Sequence, residues 1–169
     1  MKSLLLIVLM AVCMPFGRCS DGQPDNREKR KDLTGYVFKD TTAQDRRFSD
    51  FKGDYIYVEV WSMSCGVCLQ EMPYFHRLAK KYDGKGIQFV SICVDNNLPI
   101  WTDYLKRKKI GGTQWNTKLF SPFLKENGLI ALPGFVLIDQ TGKMIWANKL
   151  RPSNPALEEE LDKLLAGKL

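Results

Sequence analysis

One stretch of the chain, residues 58–70, restricts the fold more than any other. A strand-like apolar run that begins at Tyr55 ends just before two cysteines, Cys65 and Cys68, which are separated by two residues. After the second cysteine, apolar residues recur at alternating steps of four and three, as on one face of a helix. The pattern predicts a strand, a short turn and a helix, with Cys65 at the start of the helix.

The predicted position of the two cysteines gives them different chemistry. The first-turn amide groups of a helix are unpaired and its dipole is positive at that end, so a thiolate at Cys65 is stabilised relative to the thiol. We therefore expect Cys65 to have a lowered pKa and to be the attacking sulfur. Cys68 is expected to face inward and to act as the resolving thiol. The apolar residues in register with it are Met72, Phe75, Ala79 and Tyr82.

The remaining apolar segments predict an α/β fold in one domain over residues 33–169. Residues 55–61 and 87–94 have the length and composition of buried strands, and with the helix between them they form a βαβ unit with parallel strands. A small hairpin is expected within residues 33–51, and a second one follows Pro133. The further predicted helices cover residues 100–109, 119–127 and 155–165.

The beginning of the chain has the pattern of an export signal. A short positive segment precedes an apolar run that is too short to cross a bilayer as a stable helix. This predicts a signal peptide over residues 1–19 and a protein of the periplasm or cell envelope. Two outcomes stay open at Cys19, namely simple cleavage or conversion into the lipidated N-terminus of a membrane-anchored lipoprotein. The polar segment 20–32 is predicted to be a flexible linker.

Cysteine usage and charge argue against several classes of protein. Without the signal, Cys65, Cys68 and Cys93 remain, and an odd number in an exported domain argues against a scaffold of structural disulfides. Cys93 lies in a predicted core strand and is expected to be a small buried residue, not a third redox centre. The net charge of +6 is mild, and the basic runs lack the interleaved aromatic residues of a nucleic-acid site.

Glu59 is the next candidate after the cysteines, because it is the only acid in an otherwise apolar predicted strand. A buried carboxylate is costly unless it is used or paired. The hypothesis is that burial raises its pKa and that it takes the proton of Cys68, directly or through water, when a mixed disulfide is resolved. The alternative is a Glu59 that faces solvent from an edge strand.

Five sequence features together carry a resemblance to a known family. They are Trp61 four residues before Cys65, the pair Cys65-Gly66-Val67-Cys68, Pro73 five residues after it, Leu132-Pro133 ahead of a strand, and the segment 135–143. In this combination the chain resembles the exported TlpA/ResA-like thiol–disulfide oxidoreductases of the thioredoxin superfamily, over about residues 33–165. A lone Cys-X-X-Cys pair would be much less specific.

The resemblance implies a thioredoxin fold, which is a central mixed β-sheet flanked by helices, with an N-terminal β-hairpin and a central helical insertion at residues 98–118. It implies protein disulfides or thiols as substrates, among them the cysteines of apocytochrome c, and a membrane thiol-reducing electron donor. It implies neither a metal nor an organic cofactor, and we expect a monomer.

The resemblance also implies a substrate-binding surface of Trp61, Leu132 and Pro133, with Trp61 beside the cysteine pair. The peptide bond before Pro133 is then cis, and the Leu132 backbone docks an extended substrate like an added strand. The sequence alone leaves an ordinary trans turn as the alternative. The chain departs from the family pattern at Ser64, Val67 and Gly134, where relatives commonly carry Trp, Pro and Thr. The reduction potential and the direction of electron flow therefore stay open.

Three other kinds of site fit parts of the pattern. A thiol peroxidase of peroxiredoxin type would use Ser62-Met63-Ser64-Cys65, although the proline and arginine expected around a peroxide are missing. A non-catalytic thioredoxin-fold binding module for copper would need a distal histidine, and none follows His76. A zinc site would need Cys93 and His76 to converge on the cysteine pair.

Overall fold

A mixed sheet of seven strands runs through residues 29–167, the part of the chain that the computed structural model describes. The strands are β1 Phe38–Asp40, β2 Asp45–Arg46, β3 Tyr55–Trp61, β4 Ile87–Cys93, β5 Thr113–Asn116, β6 Gly134–Ile138 and β7 Met144–Ala147. Their order across the sheet is β2, β1, β5, β4, β3, β6, β7. The α-helices are α1 Gly66–Lys81, α2 Leu98–Lys108, α3 Pro122–Glu126 and α4 Pro155–Leu165. This architecture confirms the predicted α/β fold.

The central part of the sheet is the βαβ unit that the sequence predicts. Strands β3 and β4 pair in parallel along their whole length and end together at Trp61 and Cys93, and α1 connects them. On the other side of β3, β6 runs antiparallel, which places Gly134 opposite Val60. The start of β6 therefore lies at the same end of the sheet as the turn that carries the cysteines, namely the end at which β3 and β4 finish.

The N-terminal hairpin belongs to the main sheet. β1 pairs antiparallel with β2 and also with β5, where Lys39 lies opposite Asn116, and β5 runs parallel to β4. The sequence does not predict β5, because four residues are too few to show an alternating pattern. The insertion predicted at residues 98–118 thus contains a strand as well as the helix α2.

The helix ends follow from capping residues and from the backbone. The side chains of Asn97 and Asn154 accept hydrogen bonds from first-turn N–H groups of α2 and α4, which lie within two residues of their predicted positions. Helix α3 is shorter than the predicted segment 119–127. The backbone of Phe120 is left-handed, with φ at 62°, and the helix begins only at Pro122.

Alternation along the central strands divides the core between the two faces of the sheet. Val58 and Val60 belong to a core on one face, whereas Tyr57 and Trp61 point to the other face. On the first face four rings pack with centroids 5.0–5.7 Å apart. We call these rings the aromatic cluster, and they are Phe38, Phe48, Trp115 and Phe123.

The second face is covered by α1 and α4 and, nearer the cysteines, by α2. Lys81 on α1 forms an ion pair with Glu158 on α4 at 2.8 Å, and the Tyr82 hydroxyl donates to Asp162 at 2.7 Å. Helix α2 packs its apolar side against a smaller group of buried residues close to the two cysteines. We call this group the cysteine-side cluster, and it consists of Trp61, Cys68, Met72, Cys93, Trp101 and Leu105.

The N-terminal part of the described chain meets the sheet at the end opposite the cysteines. Asp32 forms a β-bridge with Lys143, and the Lys31 carbonyl accepts a hydrogen bond at 2.8 Å from the N–H of Met144. These contacts lie at the start of β7, beside the end of β6 and the start of β3, because β6 runs antiparallel to both neighbours. Contacts with the sheet therefore begin inside the segment 20–32, which the sequence assigns to a linker.

The predicted signal peptide, residues 1–19, lies outside the described residues, as does most of the predicted linker. The alternatives at Cys19 thus stay predictions. Between residues 29 and 167 no helix is long and apolar enough to span a membrane.

Candidate active site

Cys65 and Cys68 form a disulfide at the N-terminus of α1, with their Cα atoms 5.2 Å apart. Cys65 has extended backbone angles and is the N-cap residue, and its sulfur accepts a hydrogen bond from the N–H of Cys68 at 3.2 Å. Cys65 is half-buried, whereas Cys68 is 1% exposed. An incoming thiol or disulfide can therefore reach the first sulfur far more readily than the second. The inward position of Cys68 agrees with the sequence-based expectation, and the attacking and resolving roles stay predictions.

A short turn joins the end of β3 to the disulfide. The N–H of Cys65 donates to the Ser62 carbonyl at 3.0 Å, and the hydroxyls of Ser62 and Ser64 are 3.0 Å apart. The carboxylate of Asp95 accepts hydrogen bonds from the Ser62 hydroxyl at 2.9 Å and from the Met63 N–H at 2.7 Å. Sequence reasoning missed Asp95 as a site residue. Its signal is a polar side chain just beyond the carboxyl end of a buried parallel strand.

The third cysteine, Cys93, is a buried core residue and a free thiol. Its Sγ lies 3.2 Å from Asp95 Oδ2, to which it donates a hydrogen bond. Burial raises the pKa of this thiol well above its ordinary value, with the Asp95 carboxylate adding to the effect. Within residues 29–167, no group of three or more His, Cys, Asp or Glu side chains is arranged to hold a metal ion.

Glu59 is buried in the centre of the sheet, with 2% of its surface exposed. This burial excludes the alternative of a solvent-facing residue on an edge strand. Glu59 lies on the same face of β3 as Trp61, which belongs to the cysteine-side cluster. The Ser91 hydroxyl donates to its carboxyl oxygen at 2.7 Å. The pKa of Glu59 is raised to about 8, mainly by burial and to a smaller extent by the charge of Glu71, while the hydrogen bond from Ser91 opposes the shift.

A second carboxyl group, Glu71, is buried on α1 three residues after Cys68. It accepts hydrogen bonds from the N–H and the hydroxyl of Ser153 at 3.0 and 2.9 Å. Sequence reasoning missed this residue too. The signal was present, because residues three apart on a helix share a face, so that an inward-facing Cys68 places Glu71 on the buried side as well.

The structure corrects the predicted role of Trp61 in substrate binding. Its side chain is 0% exposed, so it cannot contact a docked polypeptide. Its indole nitrogen has no hydrogen-bond partner among the described residues. Trp61 instead lies beneath the pair, in the same cluster as Cys68, and supports it from the interior.

Leu132 and Pro133 lie just before β6, at the end of the sheet that carries the cysteines, and are partly exposed. The peptide bond between them is cis, as the resemblance implies. The structure also accounts for Gly134, which departs from the family pattern. A Cβ atom at this position would lie 3.3 Å from the side chain of Leu129 and 3.5 Å from that of Val60, so the close packing of β6 favours glycine.

A thioredoxin-like mixed sheet that carries a disulfide at the first turn of the helix after its central strand, with a cis-proline at the same edge, defines a thiol–disulfide oxidoreductase. Residues 25–165 match the family model described as Redoxin, and the chain belongs to this family. Membership and site geometry agree with the TlpA/ResA-like resemblance.

Individual relatives lead to the same class. The thiol-disulfide oxidoreductase ResA of Bacillus cereus is 28% identical over 161 residues, which cover 95% of this chain and 92% of that protein. A solved structure described as a thiol-disulfide oxidoreductase from Bacteroides vulgatus is 34% identical, with a TM-score of 0.72 over 78% of this chain and 86% of that one. A structure from Chlorobium tepidum described as thiol:disulfide interchange protein DsbE has a TM-score of 0.67 at 22% identity and covers 82% of this chain and 96% of that one. This last likeness shows the fold alone.

Proposed function

We propose that this enzyme works outside the cytoplasm and reduces or exchanges disulfides of other exported proteins through Cys65 and Cys68. The observation that carries the proposal is the asymmetry of the pair, in which the N-cap sulfur is accessible and its partner is buried. Export rests on the signal-like segment 1–19, and the catalytic domain then begins near Leu33. A lipid at Cys19 would make it a membrane-anchored lipoprotein, and the protein acts as a monomer.

In the reducing direction the Cys65 thiolate attacks one sulfur of a substrate disulfide. This forms a mixed disulfide and releases the first substrate thiolate. Cys68 then loses its proton and attacks the Cys65 sulfur, which breaks the mixed disulfide and releases the second substrate thiolate. Two electrons have passed to the substrate, and the enzyme is left with the Cys65–Cys68 disulfide. A membrane thiol-reducing donor returns the pair to the dithiol by the same exchange.

Glu59 is the proposed acceptor of the Cys68 proton, directly or through water. Its support is its burial on the face of β3 that leads to the cysteine-side cluster, together with a pKa of about 8. A group whose pKa lies near the working pH can both accept and return a proton. The Glu59→Gln variant is expected to slow resolution of the mixed disulfide and to flatten its pH dependence between pH 6 and 9. Stopped-flow measurement of that single step provides the test, and an unchanged profile removes Glu59 from the role.

Substrate docking is proposed at Leu132 and Pro133, which are partly exposed at the same edge as the disulfide. An extended segment that approaches Cys65 is proposed to pair with the Leu132 backbone by main-chain hydrogen bonds, as an added strand does. The proposed substrates are proteins with reactive disulfides, among them apocytochrome c in its oxidised form.

Trapping of the mixed disulfide tests the assignment of the two sulfurs. Reduced Cys68→Ser is expected to accumulate a covalent adduct with a disulfide-containing protein such as insulin, since the resolving thiol is absent. Cys65→Ser is the matched control and should form none. The reverse result would exchange the two roles.

Stoichiometric consumption of hydrogen peroxide without reduction of insulin would instead support the thiol peroxidase alternative. Mass spectrometry of the mature N-terminus separates a lipidated Cys19 from a free Ser20.

A further inference from the structure

Asp95, two residues beyond the end of β4, gathers three hydrogen bonds from two segments of the chain. It accepts from the Met63 N–H at 2.7 Å, from the Ser62 hydroxyl at 2.9 Å and from the Cys93 thiol at 3.2 Å. Its own main chain is held as well, since the Asn116 side chain donates to the Asp95 carbonyl at 2.9 Å. The carboxylate is therefore fixed to the sheet on one side and to the turn before the disulfide on the other.

The turn that Asp95 holds, residues 62–65, sets the position of the first cysteine. The Ser62 carbonyl accepts from the N–H of Cys65 at 3.0 Å, and the Ser62 hydroxyl accepts from the N–H of Ser64 at 3.3 Å. Within residues 29–167, Asp95 is the only carboxyl group that is hydrogen-bonded to this turn. The turn ends at the N-cap of α1, where the Cys65 sulfur faces the first-turn N–H of Cys68.

We propose that Asp95 is a positioning residue for the attacking sulfur. By binding the Ser62 hydroxyl and the Met63 N–H, it keeps the turn in the shape that places Cys65 at the helix N-terminus. The inference rests on the proposed role of Cys65 and acts through the turn, with no contact to substrate required. In this proposal the reactive sulfur is held in place not only by the turn after β3 but also by Asp95, which follows the neighbouring strand β4.

Asp95 affects the Cys65 thiolate in two ways that have opposite signs. Its negative charge near the turn disfavours a thiolate, whereas the geometry that it maintains favours one by keeping the sulfur at the N–H groups of the helix. If positioning is the larger effect, removal of the side chain makes Cys65 less reactive. If only the charge matters, the same removal makes it more reactive. The other buried carboxyl groups on neighbouring elements, Glu59 on β3 and Glu71 on α1, are unchanged in these variants.

Two substitutions separate the two effects. Asp95→Asn removes the charge but keeps an amide oxygen that accepts from Met63 and an amide N–H that can donate to the Ser62 oxygen. Asp95→Ala removes both the charge and the hydrogen bonds. Asp103→Ala is the matched control, because it removes an exposed carboxylate that pairs with Arg107 within α2.

The test is the rate at which iodoacetamide alkylates Cys65 in each fully reduced protein between pH 5 and 9, together with the midpoint potential in a glutathione series. For Asp95→Ala we expect alkylation at pH 7 to be about three- to tenfold slower, with the inflection of the pH profile moved upward. Asp95→Asn should stay within about twofold of the wild type, and Asp103→Ala should match it. A merely structural role would lower the melting temperature but leave the pH profile and the potential unchanged.

Equal or faster alkylation of Asp95→Ala would overturn the inference, as would an Asn variant as slow as the Ala variant. If Asp95→Ala does not fold, Ser62→Ala replaces it, since this change removes one of the two bonds to the turn and should slow alkylation in the same direction. An unchanged rate in that variant also counts against the inference. An ordinary thiol pH profile for Cys65 in the wild type would be a different failure, because it would remove the proposed function itself.

Discussion

The aromatic cluster and the cysteine-side cluster lie on opposite faces of one sheet and are built in opposite ways. The first packs four rings with centroids 5.0–5.7 Å apart and contains no ionisable group. The second combines buried sulfur atoms with two indole N–H groups, of Trp61 and Trp101, that have no partner among the described residues. Asp95 accepts a hydrogen bond from Cys93 of this cluster, and Glu59 lies two residues before Trp61 on the same face of β3.

This difference separates stability from reactivity within a single fold. Buried rings contribute free energy of folding through apolar area and ring contacts. Buried polar groups without partners cost free energy, and such groups are retained where they change the chemistry of a neighbour. We therefore expect substitutions on the aromatic side to alter stability alone, and substitutions on the cysteine side to alter the reaction.

The largest effect is expected for Cys65→Ser on the cysteine side. Loss of the attacking sulfur should lower the rate of insulin reduction by at least about a thousandfold. Serine is a favourable N-cap residue, so the stability should stay within about 1 kcal/mol of the reduced wild type in urea denaturation. Retained insulin reduction would contradict the site assignment.

The aromatic side should respond in the opposite way to Phe48→Ala. Loss of a fully buried ring is expected to cost about 3–5 kcal/mol in the free energy of unfolding, because it removes apolar area and leaves a cavity. The midpoint potential of the disulfide should change by less than about 10 mV. Phe48→Leu serves as the control and should lose less stability. A large change in potential would show that the two clusters are coupled.

Glu59→Gln should stabilise the oxidised protein as the pH rises. Below about pH 4.5 the carboxyl group is protonated in both the folded and the unfolded state, but above it the unfolded chain ionises while the folded chain keeps the proton up to about pH 8. The wild type therefore loses stability across this window. Glutamine removes the loss, with a gain on the order of 2–3 kcal/mol at pH 7. Urea denaturation at pH 5 and pH 7.5 measures it, and an equal difference at both values would contradict the raised pKa.

The smallest effect is expected for Trp101→Phe in the cysteine-side cluster. The change removes apolar area but also a buried N–H without a partner, and the two contributions oppose each other. The cost should stay below about 1 kcal/mol, well under that of Phe48→Ala. A loss above about 2 kcal/mol would show that the indole N–H is hydrogen-bonded in solution.

The sequence predicts the elements whose signal is local. The apolar run of β3, the cysteine spacing and the apolar stripe of α1 together indicate a βαβ unit. The local sequence pattern of α4 likewise indicates where that helix begins and ends. Strand β5 could not be found in this way, since Thr113–Asn116 is a strand only because β4 and β1 lie on its two sides. Strand β5 therefore forms through pairing with residues that are distant in the sequence.

The same distinction applies to the site. Cys65, Cys68 and Glu59 stand out because each contrasts with its immediate sequence context. Asp95 does not, because its importance depends on a contact with a turn 32 residues earlier in the chain. Trp61 shows the converse error, since the family resemblance implies a substrate-binding role but its side chain lies entirely within the core.

The bridge between Asp32 and Lys143 sets the place at which the N-terminal chain meets the domain. It fixes the incoming chain at the end of the sheet away from Cys65. If Cys19 is lipidated, the tether joins the domain at the far end from Cys65, so the anchored chain leaves the disulfide and Leu132-Pro133 uncovered for an approaching protein.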